Sequence, residues 1–483
     1  MKYDVVIIGA GVSGAAVARE LSRYRVKACV LEREEDVCCG TSKANSGIVH
    51  AGYDARPGTH MAKLNILGNW MMSELTRKLD IPFKRNGSMV ICTEKERLCE
   101  LEELCERGKK NGVPDLRILS REEAVRREPN LADEVMYALY APTGGIVCPF
   151  ELNIALAENA YTNGIEFHFN TEALAIQKTE SGFQIRTEKG NYETKIIVNA
   201  AGVYADVFHN MVSGEKMTIT PRRGEYMLFD QAVGNHVLST IFRLPDELGK
   251  GVLVTPTVHG NLLVGPTAKN LKDREALDTT ADGFAAIKSQ VARSVKDIPF
   301  RQVITSFAGL RACAQTSDFI IGEATDAKGF IDCAGIASPG LTSCPAIGME
   351  VAEIAREKLN LQPNPTFCGT RKGILRPMSL RMEERNALIR GNPAYGTIVC
   401  RCESVTEGEI LDAVRRPLGA RSLDGVKRRT RAGMGRCQAG FCSPKVMEIL
   451  AREWRVPLDQ VTKCGGASRL IAGVNKDKWQ GDE

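Results

Sequence analysis

No run of apolar residues in the 483-residue chain approaches the roughly 20 that a membrane-spanning helix needs, so any membrane contact is expected to be peripheral or made through another subunit. The start MKYDVVIIGAG leaves no room for a charged segment, an apolar stretch and a cleavage site, and no secretory leader is expected. Aromatic residues are missing from the one concentrated basic run, KRRTR at 427–431. Without stacking side chains that run reads as a solvated or partner-docking face and not as a nucleic-acid site. Histidine is scarce, with six residues at 50, 60, 168, 209, 236 and 259, each with an ordinary structural use for a neutral imidazole. What remains is an ordinary globular composition, 43% hydrophobic and 25% charged with a net charge of +5, which rules out a disordered or collagenous chain. At about 150 residues per domain, roughly three domains are expected.

The 16 cysteines are irregularly scattered, but four near the C-terminus are not: Cys400 and Cys402 in CRCESVTEGEI, then Cys437 and Cys442 in TRAGMGRCQAGFC. A C-x-C pair answered by a C-x4-C pair in a glycine-rich loop supplies four thiolates to one small volume, with backbone N–H groups available to face sulfide. That donor set suits a 2Fe-2S cluster. Structural zinc is the alternative, although zinc ribbons use C-x2-C knuckles. A labile cluster among many free thiols points to a cytoplasmic setting.

At the other end, the apolar run DVVII at 4–8 leads into GAGVSG at 9–14, a helical stretch AAVARELSRYR, and a second strand KACVLE closing on Glu32. This is the order of a βαβ dinucleotide site. Gly9 permits the tight turn, Gly11 lets a pyrophosphate approach the backbone, and Gly14 lets helix and strand pack closely. The helix N-terminus then faces phosphate while Glu32 takes ribose hydroxyls. Two later segments, KIIVNAAGVYAD at 195–206 and FIDCAGIASPGLTSCPAIGMEVAEIA at 330–355, resemble the later FAD contacts of the D-amino-acid-oxidase-like flavoproteins. FAD is therefore expected ahead of NAD. A flavin and a one-electron cluster on one chain imply a relay to an electron-accepting partner.

Between these motifs, PRRGEYMLFD at 221–230 and GVLVTPTVHGNLLVGPT at 251–267 read as strands, the second turning at His259-Gly260-Asn261. The expected fold is α/β and α+β: a Rossmann-like FAD-binding domain with an inserted antiparallel-sheet substrate domain, plus a small C-terminal iron–sulfur domain. The expected boundaries are 1–80, 141–215 and 306–360 for the FAD domain, 81–140 and 216–305 for the substrate domain, a proline-broken linker at 361–395, and 396–483 for the 2Fe-2S domain.

The chain resembles the flavoprotein subunit of the anaerobic glycerol-3-phosphate dehydrogenases, within a wider family that includes the L-2-hydroxyglutarate dehydrogenases. GAGVSG, SFAGLRA at 306–312 and SPGLTS at 338–343 carry the likeness, and the tail is similar to bacterioferritin-associated ferredoxin. NSGIVHAGYDARPG at 45–58 leans to the hydroxyglutarate branch, and Ala312 stands where FAGLRP would place proline. The resemblance implies a cofactor set that adds Thr41, Ser42, Ala201, Gly202, Gly335, Gly340, Leu341 and Thr342 to Gly9, Gly11, Gly14 and Glu32.

It also implies that Arg311 faces a small anionic substrate from the rim of the flavin pocket, against the alternative of a structural salt bridge. Arg243, in IFRLPDELGKG, is a second anion candidate for which a surface position is expected. His259 on the hairpin and His50 after the first βαβ unit are the candidate bases, and His50 also falls where some relatives attach flavin covalently. Cys38 and Cys39 read as two small buried thiols, since a vicinal disulfide strains its ring. The implied activity is FAD-dependent oxidation of sn-glycerol 3-phosphate to dihydroxyacetone phosphate. L-2-hydroxyglutarate or another 2-hydroxy or amino acid is the alternative within that class. An electron-transfer subunit without substrate chemistry is the alternative outside it.

Overall fold

A computed structural model describes residues 1–244 and 251–473. Residues 245–250 of IFRLPDELGKG and the last ten of the expected tail domain lie outside the described residues. By internal packing the chain divides into two units, one of residues 1–33 and 37–372, the other of residues 34–36 and 373 onward.

In the first unit, Lys2–Ile8 forms the centre of an eight-stranded sheet, with Ala28–Leu31 on one side and Gly190–Asn199 on the other, both parallel to it. Val5, Val6 and Ile7 are fully buried, as a continuous β-branched run must be when helices cover both faces of a parallel strand. Glu166–His168 continues the parallel order beyond Ala28–Leu31, and Phe330–Ala334 continues it beyond Gly190–Asn199. Gly9, Glu32, the Ala201-Gly202 pair and Gly335 therefore all follow the carboxyl ends of parallel strands. Ligands of open α/β sheets lie along that edge. Helices Val12–Leu21 and Gly340–Leu359 pack backbone to backbone, for a Cβ on Gly348 would lie 2.7 Å from the Ala16 carbonyl oxygen.

The unit's second sheet has nine strands, drawn from residues 88–141 and 219–314. Its longest pairing joins Ile219–Phe229 to Val303–Ala314 antiparallel, with Arg222 opposite Arg311 and a register shift near Leu228. Val303–Ala314 thus runs in this sheet, although residues from 306 onward were expected with the FAD-binding part. The hairpin forms where expected: Leu253–Pro256 pairs with Leu262–Gly265, and Gly260 adopts φ +87° at its tip. A small ladder joins Ile48–Val49, Gly145–Val147 and Phe83–Lys84.

The second unit contains helix Met382–Gly391, inside the stretch expected to be an aperiodic linker. A two-stranded ladder, Ile398–Cys400 with Val405–Thr406, and helices Glu407–Arg415, Leu423–Thr430 and Ser443–Trp454 enclose a core around Ile410, Val426, Ile449 and Leu450. The expected solvated basic run is a correction. Arg428 and Arg429 are 5% and 3% exposed, and both bind Asp36. Arg429 makes a two-pronged contact at 2.7 and 2.8 Å, and Arg428 adds a third hydrogen bond at 2.7 Å. Burial alone would raise the Asp36 carboxyl, but the two guanidinium groups hold it below the usual range. Arg431 is likewise paired, with Glu403 at 2.7 Å. Helical spacing turns these arginines toward carboxylates that the linear sequence keeps far away.

Candidate functional site

The nucleotide end is built from backbone. Gly9 has φ +100°, and a Cβ there would lie 2.6 Å from the Ala200 carbonyl oxygen. One on Gly14 would lie 2.0 Å from the Gly9 oxygen, so only glycine fits either position. Gly11 is the extended N-cap of helix Val12–Leu21, and the Val12 N–H donates to Ser42 Oγ at 2.9 Å, bringing that hydroxyl to the phosphate-facing helix end. Ala10 N–H donates to Glu32 Oε2 at 2.7 Å, which holds the acid against the glycine loop. Gly202 and Gly335, with φ +58° and +65°, turn the chain at the ends of the neighbouring strands. The cradle, the helix end and the acid together fit a dinucleotide phosphate and its ribose.

From there the site runs toward the second sheet. Thr41 Oγ1 donates to the Leu310 carbonyl oxygen at 2.6 Å, tying the cofactor loop to strand Val303–Ala314 beside Arg311. Gly309 lets them touch, since a Cβ there would lie 2.0 Å from the Ala44 oxygen. Gly340 and Leu341 begin helix Gly340–Leu359. Thr342 in its first turn is fully buried, and its hydroxyl is engaged within the protein: it donates to Ile48 at 3.3 Å and accepts the His50 N–H at 2.9 Å. Thr342 therefore positions His50 more directly than it meets a ligand.

His50 is half-buried. Its Nε2 lies 3.1 Å from Ser338 Oγ, and its ring centroid is 5.8 Å from that of Phe242 on the second sheet. Asn69 donates to its carbonyl oxygen at 2.9 Å. Arg311 is half-buried too, with its Nη2 3.4 Å from the Thr267 carbonyl oxygen. Gly224 makes room for it, because a Cβ there would approach the guanidinium to 2.8 Å. Among the described residues Arg311 has no ion pair, so the structural salt bridge is not found there.

The two histidine candidates are not brought together. His259 Nε2 lies 3.6 Å from Glu151 Oε1, and with Cys148 Sγ these groups form a cluster whose donor atoms all lie within 4.8 Å of one another. Val49 pairs with Gly145 in an antiparallel ladder, which sends His50 and Cys148 to opposite ends of it. Sequence reasoning missed Cys148, Glu151 and Phe242 and named Ser338 only as part of SPGLTS; for Cys148 and Glu151 the local signal was Pro149, which opens helix Pro149–Thr162. Arg243 is a correction: it is 7% exposed in strand Thr240–Arg243, between Leu253–Pro256 and Ser88–Cys92, and not at the surface. Cys38 is buried, Cys39 is partly so, and neither forms a disulfide.

In the second unit, Cys400 ends its strand, Cys402 lies in the following turn, and Cys437 and Cys442 flank a loop in which Gln438 and Ala439 have positive φ. The sulfurs of Cys402 and Cys437 are 3.6 Å apart. A hydrogen bond from the Cys442 thiol, with backbone N–H groups of Gly433 and Glu403, pulls Cys400 down to about 6. The Cys437 N–H faces Cys402. Gly435 is obligatory, because a Cβ would lie 2.3 Å from that of Cys402. Four convergent thiols faced by backbone N–H groups fit a 2Fe-2S cluster.

Known proteins share both halves. Residues 4–354 match the FAD dependent oxidoreductase family, and residues 398–452 match the BFD-like 2Fe-2S binding domain. A glycerol 3-phosphate dehydrogenase of Caloramator mitchellensis is 51% identical over 99% of this chain and 100% of its own length. An L-2-hydroxyglutarate dehydrogenase of Indibacter alkaliphilus is 28% identical over 64% of this chain and 77% of its own. The structure of an L-alpha-glycerophosphate oxidase from Mycoplasma pneumoniae with FAD bound superposes with a TM-score of 0.73 at 32% identity, over 77% of this chain and 98% of that one. None of the described helices is long and apolar enough to cross a membrane.

Proposed function

The chain belongs to the FAD dependent oxidoreductase family and carries a BFD-like 2Fe-2S binding domain, and from that premise we propose that it oxidises sn-glycerol 3-phosphate to dihydroxyacetone phosphate and sends the electrons to a partner protein. The observation that carries the reading is Arg311. It is a half-buried cation with no ion pair among the described residues, on the strand that Thr41 ties to the cofactor loop. A guanidinium so placed offers a planar fork to a substrate phosphate.

Bound FAD would supply a two-electron hydride acceptor for the carbinol carbon, and the cluster would supply one-electron carriage. Gly9, Gly11, Gly14, Ser42 and Glu32 would hold the nucleotide, Gly335, Gly340 and Leu341 the flavin end, and Cys400, Cys402, Cys437 and Cys442 the cluster. The remaining chemistry is proton removal and orientation. We assign the base to His50, whose Nε2 already has a hydroxyl oxygen, that of Ser338, at 3.1 Å. On this reading a substrate hydroxyl would take that place beside the imidazole, while Thr342 and Phe242 hold the backbone and ring. We assign His259, beside Glu151, to holding the hairpin tip on helix Pro149–Thr162. No disulfide joins any of the 16 cysteines, and the reading places the reaction in the cytoplasm, with any membrane contact made through the partner.

The 51%-identical relative supports this substrate, and the segment at 45–58 supports L-2-hydroxyglutarate as a second reading. Anaerobic addition of each compound to the holoprotein tests them, with flavin bleaching as the readout. Bleaching by glycerol 3-phosphate at far lower concentration is expected; the reverse preference would transfer the assignment. Cys437→Ser should leave bleaching nearly unchanged and abolish delivery to a protein acceptor.

A further inference from the structure

We propose that Cys148, Glu151 and His259 form a binding site for a divalent cation of the zinc class, which pins the hairpin of the second sheet to the start of helix Pro149–Thr162. Two stretches of the first unit supply the donors. Cys148 is the N-cap of that helix and Glu151 its third residue, so their spacing sets both at one helix end. His259 arrives from the hairpin of Leu253–Pro256 with Leu262–Gly265, just before the turn at Gly260. A thiol sulfur, a carboxylate oxygen and an imidazole nitrogen then all lie within 4.8 Å of one another. The cluster is buried: Cys148 is 2% exposed, and the side chains of Glu151 and His259 are each 11% exposed.

Spacing and chemistry both point to an ion. Nε2 of His259 and Oε1 of Glu151 are 3.6 Å apart, longer than a hydrogen bond between such groups. Two donors held at about 2.0–2.2 Å by one tetrahedral ion stand roughly 3.4 Å apart, so this pair already has nearly the separation that a shared ion imposes. A zinc-bound sulfur and nitrogen stand roughly 3.6 Å apart, and closing the widest gap in the cluster asks for about 1 Å of side-chain movement. The local backbone suits this use. The Cys148 N–H, which a capping-box glutamate would take, donates to the Pro82 carbonyl oxygen at 3.0 Å, and Glu151 at the capping-box position is turned to the imidazole. A helix N-terminus favours thiolate and carboxylate, the forms that ligate. Together they carry two negative charges, which a divalent ion balances in a buried setting. Mg²⁺ and Ca²⁺ take oxygen donors, whereas sulfur with imidazole and one carboxylate selects Zn²⁺. Three protein donors leave one tetrahedral position for a water. His259 then holds the hairpin tip through the ion.

The test uses holoprotein with FAD and cluster loaded, which keeps the four tail cysteines occupied. After treatment with a weak chelator that spares the cluster, the protein is equilibrated with Zn²⁺ in competition with a chromophoric chelator. One zinc per chain is expected in the parent, and a large excess of Mg²⁺ should not displace it. Affinity should fall roughly 100-fold in Cys148→Ser and His259→Gln and at least tenfold in Glu151→Gln. Zinc should raise the melting temperature of the parent and leave that of Cys148→Ser and His259→Gln unmoved. Co²⁺ gives a second readout, a sulfur-to-cobalt charge-transfer band in the difference spectrum of the parent that Cys148→Ser lacks. If serine at 148 prevents folding, Cys148→Ala takes its place. No stoichiometric zinc in the parent, displacement by Mg²⁺, or binding undiminished in any one of the three variants overturns the proposal.

Discussion

Arg429 lies 3% exposed with Nη1 and Nη2 of its guanidinium on Asp36, joined there by Arg428, whereas Arg311 is half-buried on strand Val303–Ala314 with a single long contact to a carbonyl oxygen. In the tail unit each buried cation is answered by a carboxylate of the protein itself, as burial of charge demands. In the second sheet of the first unit a cation is held in place and left for something else to answer. On the proposed reading, the difference separates an arginine that builds the fold from one that a substrate anion would answer, and for half-buried Arg311 it is the missing ion pair, not exposure, that makes the distinction.

Changes at four positions sharpen that contrast, taken from the largest expected effect. His50→Asn should lower the rate of flavin reduction by roughly 100- to 10,000-fold, the usual range for removal of a general base, while leaving the concentration dependence on substrate near that of the parent; stopped-flow bleaching measures both. Asp36→Ala should cost about 3 to 5 kcal/mol of stability, because two buried guanidinium groups lose their counter-charge. It should leave substrate reduction of the flavin intact. This contribution depends on pH in a definite direction. The folded carboxyl is held below its ordinary value of 3.8, so the stabilisation is complete well above that pH and is lost as pH falls through 3.8 toward the depressed value. Loss of cluster absorbance during acid titration should accordingly begin at higher pH in Asp36→Ala than in the parent.

Arg311→Ala should weaken substrate binding by about 1.5 to 3 kcal/mol, roughly ten- to a hundredfold, with little change in melting temperature and normal FAD content. Arg311→Lys should recover part of this, since lysine keeps the charge and loses the fork. The smallest effect belongs to Arg415→Ala, which removes an ion pair to Glu453 from a side chain 62% exposed. A cost below about 1 kcal/mol in denaturant unfolding is expected.

The two cofactor ends were legible because each is written in contiguous sequence. GAGVSG with Glu32 forms one strand–turn–helix–strand unit, and the cysteine pairs sit at short spacings, so local geometry alone brings their atoms together. Arg311 was singled out only through the family likeness of SFAGLRA, since nothing in its neighbours states that it lacks a carboxylate. What could not be read depended on distant partners. The run at 427–431 looks like a solvated basic face until Asp36 is placed against it, and Arg243 looks exposed until its strand is flanked on both sides. Cys148, Glu151 and His259 meet only when the hairpin tip closes on a helix start. His50 was a bare candidate in sequence. Its hold comes from two distant stretches, Ser338 and Thr342 of SPGLTS and Phe242 of the second sheet.

The most direct test of the claim that Arg311 reads the substrate anion is a comparison of sn-glycerol 3-phosphate with glycerol, which differs only in lacking the phosphate. Anaerobic flavin bleaching is titrated with each compound in the parent and in Arg311→Ala. The parent should prefer the phosphate ester strongly, and the variant should lose about ten- to a hundredfold of that preference while its response to glycerol stays the same. A preference undiminished in Arg311→Ala would contradict the account and place the anion elsewhere.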